Sequence, residues 1–201
     1  MKSYIPRSVR AFTLILFVLT LAACGSTSKL NRTASTLSLA DYSTVYVADF
    51  NDKTLSTIKD AAKLAAYRDS VKAAGVTFAD MIGTNVEKIA TPPSVLRAAP
   101  ADGAKSSTDK VLRIEGEITT FQRGNALAKM LLPFAGSTKF NATVRFIDQS
   151  TGEKIGEIVV DKNSSPLGGG IAATQTTNRF MSGAAEKVGE QLAIARNGNP
   201  K

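Results

Sequence analysis

Few residues of this 201-residue chain can do chemistry of their own. Histidine is absent and cysteine occurs once, at Cys24. That removes Ser-His-Asp and Cys-His nucleophilic sites, histidine-ligated zinc and any disulfide within the chain. What remains is lysine or carboxylate chemistry, and the 17 Asp and Glu residues are scattered with no pair at a recognisable spacing, where acid–base work needs two carboxyls at a defined separation. Asp49 and Asp52 follow a β-branched stretch. A strand end is a common place for a functional Asp, and Asp is equally a common turn former there. The chain is therefore expected not to be an enzyme, with no catalytic residue, no metal and no cofactor assigned.

Cys24 has the more specific surroundings. Lys2, Arg7 and Arg10 precede an apolar run of 13 residues, 11–23, that ends in Ala22 and Ala23 directly before the cysteine. Crossing a bilayer takes about 20 apolar residues, so this run is too short to span and has the proportions of a secretory signal. The stretch Leu21-Ala22-Ala23-Cys24-Gly25 resembles the bacterial lipobox. That resemblance implies that the Cys24 sulfur receives diacylglycerol, that residues 1–23 are removed as a signal peptide, and that palmitate-type acyl chains hold the mature protein on a membrane. Each buried CH₂ contributes about 0.8 kcal/mol, and more than one chain is needed for stable anchoring. An alkylated sulfur keeps no thiolate for redox work or metal binding. By the sorting rule of such proteins, Gly25 in place of Asp permits export to the outer membrane of a two-membrane bacterium, with the protein on the periplasmic face.

The formal charge of +8 invites a nucleic-acid partner. Three of those charges sit in the signal segment, which has no acidic residue, leaving +5. The others alternate with acids, as in Lys53, Lys59, Asp60, Lys63, Arg68 and Asp69, the pattern of a solvated helix face. No nucleic-acid partner is expected.

Residues 24–43 are rich in Ser and Thr and read as a tether of about 20 Å if flexible, with Leu37 and Leu39 able to dock. The domain proper is assigned to residues 44–196, with a tail at 197–201. Thr44-Val45-Tyr46-Val47-Ala48-Asp49-Phe50 is β-branched and aromatic, a buried strand. Leu64, Tyr67, Val71 and Ala74 then recur at helical spacing, with Thr57 and Asp60 as a capping pair and Gly75 as a stop; Thr77 and Asp80 restart a second helix bearing Phe78, Ile82, Val86 and Ile89, closed by Pro92-Pro93. Residues 94–97 return as a short parallel strand. Residues 110–121 and 139–148 alternate strictly, sending Leu112, Ile114, Ile118, Phe140, Ala142, Val144 and Phe146 to one face and opposite charges to the other. Residues 154–161 complete the meander, less regularly, and Phe180, Ala184, Val188 and Leu192 mark a closing helix over 171–195. The predicted fold is α/β (α+β): a mixed sheet of about five strands, an N-terminal strand-helix-strand unit, an antiparallel meander and a C-terminal helix on one face.

Strand reversal puts the connections 122–138 and 162–170 at the same end of this sheet. In the first, Asn125 can cap a short helix on which Leu127, Met130, Leu131 and Phe134 share a face, with Pro133 terminating it. The second contains Ser164-Ser165-Pro166-Leu167 and Gly168-Gly169-Gly170. Together Leu127, Met130, Leu131, Phe134 and Leu167 can form an apolar patch that meets a partner, a ligand or a lipid surface, or can equally cover their own sheet end as core. Arg123 and Lys129 stand beside them and suit an anionic lipid surface. The function expected from this end is interaction or assembly in the cell envelope, through self-association as a homo-oligomer or through an envelope protein partner. The alternative is a carrier or sensor of a small apolar ligand.

The lipobox, Val45-Tyr46-Val47-Ala48-Asp49-Phe50, Leu112-Arg113-Ile114-Glu115-Gly116-Glu117-Ile118 followed by Phe121, Val144-Arg145-Phe146-Ile147-Asp148 with Thr151-Gly152-Glu153, and the Gly168-Gly169-Gly170 loop together resemble an uncharacterised bacterial lipoprotein family known as a domain of unknown function. A looser similarity extends to envelope assembly lipoproteins of the curli secretion type. Neither resemblance supplies a catalytic residue.

Overall fold

Period-two alternation decides the centre of the molecule. In β5 (Lys110–Gln122) and β6 (Lys139–Asp148), Leu112, Ile114, Ile118, Phe140, Ala142, Val144 and Phe146 are buried. The computed structural model describes residues 26–33, 39–99, 110–124, 137–164 and 176–197. β5, β6 and β7 (Lys154–Asn163) form the antiparallel meander. On the other side of β5, β2 (Tyr42–Val47) pairs in parallel, and β4 (Ser94–Leu96) pairs in parallel with β2. After a break at residues 48–50 the chain resumes along β5 as β3 (Asn51–Asp52), with Asn51 facing Glu117. β1 (Asn31–Arg32) closes the far edge against β7. The sheet thus has seven strands in the order β1-β7-β6-β5-β2-β4, with β3 beside β5. The two strands beyond the expected five are the two-residue pieces β1 and β3, too short to leave a pattern in sequence.

Two helices, α1 (Ala61–Val86) and α2 (Thr177–Asn197), cover one face of the sheet and pack on each other. The sequence predicts a helix stopping at Gly75 and another starting at residues 77–80; instead α1 runs unbroken for 26 residues and ends at Val86, before Pro92. Gly75 is a point of close approach, since a Cβ there would lie 2.4 Å from the Phe50 carbonyl oxygen. The Thr77 hydroxyl donates back to the Ala73 carbonyl at 2.9 Å, so it caps nothing. Asp60 alone is the N-cap, accepting from the Lys63 amide at 2.9 Å. The strand-helix-strand unit β2-α1-β4 stands as predicted, and the closing helix, expected over 171–195, runs from Thr177 to Asn197 with Phe180, Ala184, Val188 and Leu192 all buried.

The face of the meander opposite the helices carries an ion-pair ladder. Arg145 reaches Glu117 at 3.2 Å and Glu157 at 3.6 Å, Arg113 pairs with Glu115 at 3.0 Å, and Lys154 with Glu157 at 3.6 Å. These groups are only partly exposed, and the Glu117 carboxyl is held below its usual range chiefly by its hydrogen bond from Arg145.

At the end of the sheet bearing the β6–β7 turn, a buried polar pair locks the entry to β2. The Tyr42 hydroxyl donates to Asp148 at 2.8 Å, and Asp148 also accepts from the Ser150 amide and hydroxyl and the Thr151 amide at 2.8, 2.5 and 3.0 Å. Burial alone would raise the Asp148 pKa; the hydrogen bonds outweigh it and lower the pKa to about 2. The same pair, with burial the larger cause, pushes the Tyr42 phenol well above its ordinary value. A carboxyl lowered on folding stabilises the fold at every pH above its unfolded pKa of about 4, and that contribution is lost as pH falls toward 2. Thermal midpoints should therefore drop between pH 5 and pH 2, and Asp148→Asn should flatten part of that drop while lowering the midpoint at pH 7. Parallel pH curves for the two proteins would remove Asp148 from this role.

Candidate functional site

β5 and β7 run in one direction and β6 in the other, so the connections after β5 and after β7 leave from the same end of the sheet. Gln122 faces Lys139, which faces Asn163 on its other side. One step beyond, Thr138 and Ser164 close the sheet. The Ser164 amide donates to the Thr138 carbonyl at 2.9 Å, and the Thr138 amide donates to the Ser164 hydroxyl at 2.8 Å. Both residues are buried, so the two connections are rooted side by side on a sealed sheet end. Leu127, Met130, Leu131, Phe134 and Leu167, singled out from sequence, lie outside the described residues, as does Cys24.

The N-terminal half of α1 stands at the same end, where the Tyr67 hydroxyl donates to the Phe121 carbonyl at 3.1 Å. Residues 53–60 join β3 to this helix, beginning with a hydrogen bond from the Lys53 amide to the Ile118 carbonyl at 2.9 Å. Arg68 staples this turn. Its Nη1 donates to Asp52 at 2.7 Å and to the Thr54 carbonyl and hydroxyl at 3.0 Å each, while the Thr54 amide and hydroxyl also donate to Asp52. The stapled turn presents Leu55 with 97% of its surface exposed. Lys53, Lys59, Lys63, Arg123 and Lys139 are exposed at the same end of the sheet, with the Arg123 guanidinium 5.7 Å over the Phe121 ring. Sequence reasoning named Arg123 and missed Leu55, because one leucine among Thr and Ser has no periodic partner to signal its role.

The carboxylates a carboxylate enzyme would draw on are committed to arginines. Asp49 pairs with Arg97 at 2.6 Å, and Arg97 also binds Asp80 at 2.7 Å and donates to the Val47 carbonyl. For Asp52, burial raises the pKa, but the bonds from Arg68 and Thr54 prevail and keep it ionised below the usual range. A cleft of about 350 Å³ beside them is lined by Asp49, Phe50, Asn51, Asp52, Arg68, Asp69 and Lys72. Five of these seven residues are charged; the groove expected for an apolar ligand, between the 122–136 connection and the sheet, involves residues outside those described. Among the described residues, no group of three acidic or cysteine side chains could hold a metal ion, and no helix is long and apolar enough to cross a membrane.

These elements define an α+β domain with a mixed sheet, helices on one face and two connections rooted together at one end. Residues 45–168 match the family described as a domain of unknown function, DUF4410, and the chain belongs to that family. The match spans β2 to just beyond β7. No curated protein matches. Among solved structures the chain is similar to a PelC dodecamer from Paraburkholderia phytofirmans, at 12% identity and a TM-score of 0.47 over 81% of this chain and 98% of that one. It is also similar to protein XCC0632 from Xanthomonas campestris, at 13% identity and a TM-score of 0.43 over 77% of this chain and 86% of that one. A third is lipoprotein GNA1162 from Neisseria meningitidis, at 14% identity and a TM-score of 0.28 over 64% of this chain and 89% of that one.

Proposed function

We propose that this protein is a non-enzymatic lipoprotein of the bacterial envelope, anchored in the outer membrane through acylated Cys24, and that it works by contact at the sheet end bearing the 122–138 and 162–170 connections. The observation that carries this reading is the common root of the two connections on the buried Thr138–Ser164 pair. The two segments that leave this pair contain Leu127, Met130, Leu131, Phe134 and Leu167 in sequence, residues of the kind that serve an interaction. The commitment of Asp49 and Asp52 to Arg97 and Arg68 supports a non-catalytic role.

Two measurements test it. Mass analysis of the exported protein should find a diacylglyceryl group on an N-terminal Cys24, and Cys24→Ser should move the protein from the membrane fraction to the soluble one; a free thiol or a different N-terminus sinks the anchor. Leu131→Asp together with Phe134→Asp should change the molar mass or the co-purifying partners of the membrane-extracted protein, and an unchanged assembly in both respects counts against that end.

A further inference from the structure

Residues 26–33, read from sequence as part of a tether, lie along β7. The Asp161 amide donates to the Ser26 carbonyl at 2.9 Å, Ser28 exchanges bonds with Val159 at 2.8 and 2.9 Å, Asn31 and Arg32 face Glu157 and Gly156, and the Thr33 amide donates to the Ile155 carbonyl at 2.8 Å. Leu30 packs on the core, and its amide donates to the Gln191 side-chain oxygen at 3.1 Å. Gly156 makes the fit possible, since a Cβ there would stand 2.9 Å from Leu30. The direction of this segment is decisive. It is antiparallel to β7, so its first residues lie toward the C-terminal end of that strand, with Ser26 against Asp161. Cys24 precedes Ser26 by two residues, and two residues span at most about 7 Å. A lipid on Cys24 is therefore attached within about 7 Å of Ser26, toward the end of the sheet from which the two connections leave.

We propose that this end of the sheet is a membrane-contacting face, seated on the anionic phospholipid surface into which Cys24 is anchored. This rests on the acylation of Cys24 proposed above and names the partner of that same end. Charge and polarity agree with a lipid occupant. Leu55 stands 97% exposed on a turn stapled by Arg68, and Lys53, Lys59, Lys63, Arg123 and Lys139 are exposed at the same end of the sheet. Of the acids at this end, Asp52 is paired with Arg68 and Asp60 caps α1. An exposed leucine and five exposed basic residues at one end of the sheet suit the interfacial region of a bilayer, where apolar groups sink about 5–10 Å and each basic residue near an anionic surface contributes about 1 kcal/mol. The Asp148 end, by the same geometry, faces away from the lipid.

The full acylated protein, reconstituted in vesicles of phosphatidylethanolamine and phosphatidylglycerol, gives the test. With the Cys24 sulfur alkylated, Leu55→Cys and Glu153→Cys each offer one thiol for a pyrene label, at opposite ends of the sheet. Headgroup-nitroxide lipids should quench the Leu55→Cys label several-fold more than the Glu153→Cys label, and more strongly as the phosphatidylglycerol fraction rises. Equal quenching at both positions in protein that floats with the vesicles overturns the orientation while leaving the anchor intact. Pyrene excimer emission from Leu55→Cys without lipid quenching also overturns it, showing instead a contact between copies. Failure to float with vesicles, with a free Cys24 thiol, removes the anchor and this inference together.

Discussion

Truncating Phe78 to alanine should cost about 3–5 kcal/mol, the usual range for emptying an aromatic site in a packed core. Phe78 is fully buried on α1 and meets Phe50 edge-on at 4.8 Å and Phe140 at 5.0 Å. These three rings join the helix, the break between β2 and β3, and the start of β6. Each edge-to-face contact adds about 0.5–1.5 kcal/mol beyond area burial. The cavity cannot close cheaply, because the Gly75 backbone one turn earlier already lies against the Phe50 carbonyl. At about 2–4 °C of midpoint per kcal/mol for a chain of this size, the variant should melt roughly 10 °C lower. Urea unfolding of Phe78→Ala and Phe78→Leu checks this, with leucine expected to recover part of the loss. A loss below about 1 kcal/mol for the alanine variant would mean that helix and sheet do not share one close-packed core.

Valine at position 116 should be at least as damaging, for the opposite reason. Gly116 sits in the middle of β5, and a Cβ there would stand 2.0 Å from the Thr143 carbonyl oxygen and 2.5 Å from the Phe50 ring. The obstacle is the backbone of the neighbouring strand, so relief requires opening the β5–β6 ladder at its centre. Overpacking of this kind costs about 1–3 kcal/mol where side chains can yield, and Gly116→Val should exceed that even though valine favours strands. Gly183 is the internal control: it lies in α2 with nothing within 4 Å of a built Cβ, and Gly183→Ala should stabilise by up to about 1 kcal/mol. Chemical denaturation of both variants, with circular dichroism to verify the sheet, separates the two cases. Equal stability of Gly116→Val and the parent would mean that β6 does not pass as close to residue 116 as described.

The two glycines show where local rules stop. Gly75 reads as a helix stop because glycine commonly ends helices, yet α1 passes through it; the residue answers to Phe50, 25 positions away. Gly116 falls on the core side of a regular alternation, and nothing nearby in sequence announces the ring that occupies the space of its absent side chain. Residues 26–33 make the same point. Their Ser and Thr content describes a tether until the edge of β7 supplies unpaired amides and carbonyls for them, after which pairing is cheaper than leaving either partner to water.

What the amino-acid order determined by itself is whatever a periodicity can carry: the alternating strands β5 and β6, the buried face of α2, the parallel return from β2 to β4, and the strand reversal that roots both long connections at one end. A repeat of two or of 3.6 residues states which side is apolar, and burial of apolar surface then follows with little ambiguity. Only the tertiary structure decided that one helix replaces two, that Asp148 and Tyr42 meet across more than a hundred residues, and that residues 26–33 run antiparallel to β7, starting from the end that bears the connections. Those are meetings of distant segments, settled by steric fit and by unpaired backbone seeking partners, and no local pattern encodes with whom a segment will pair.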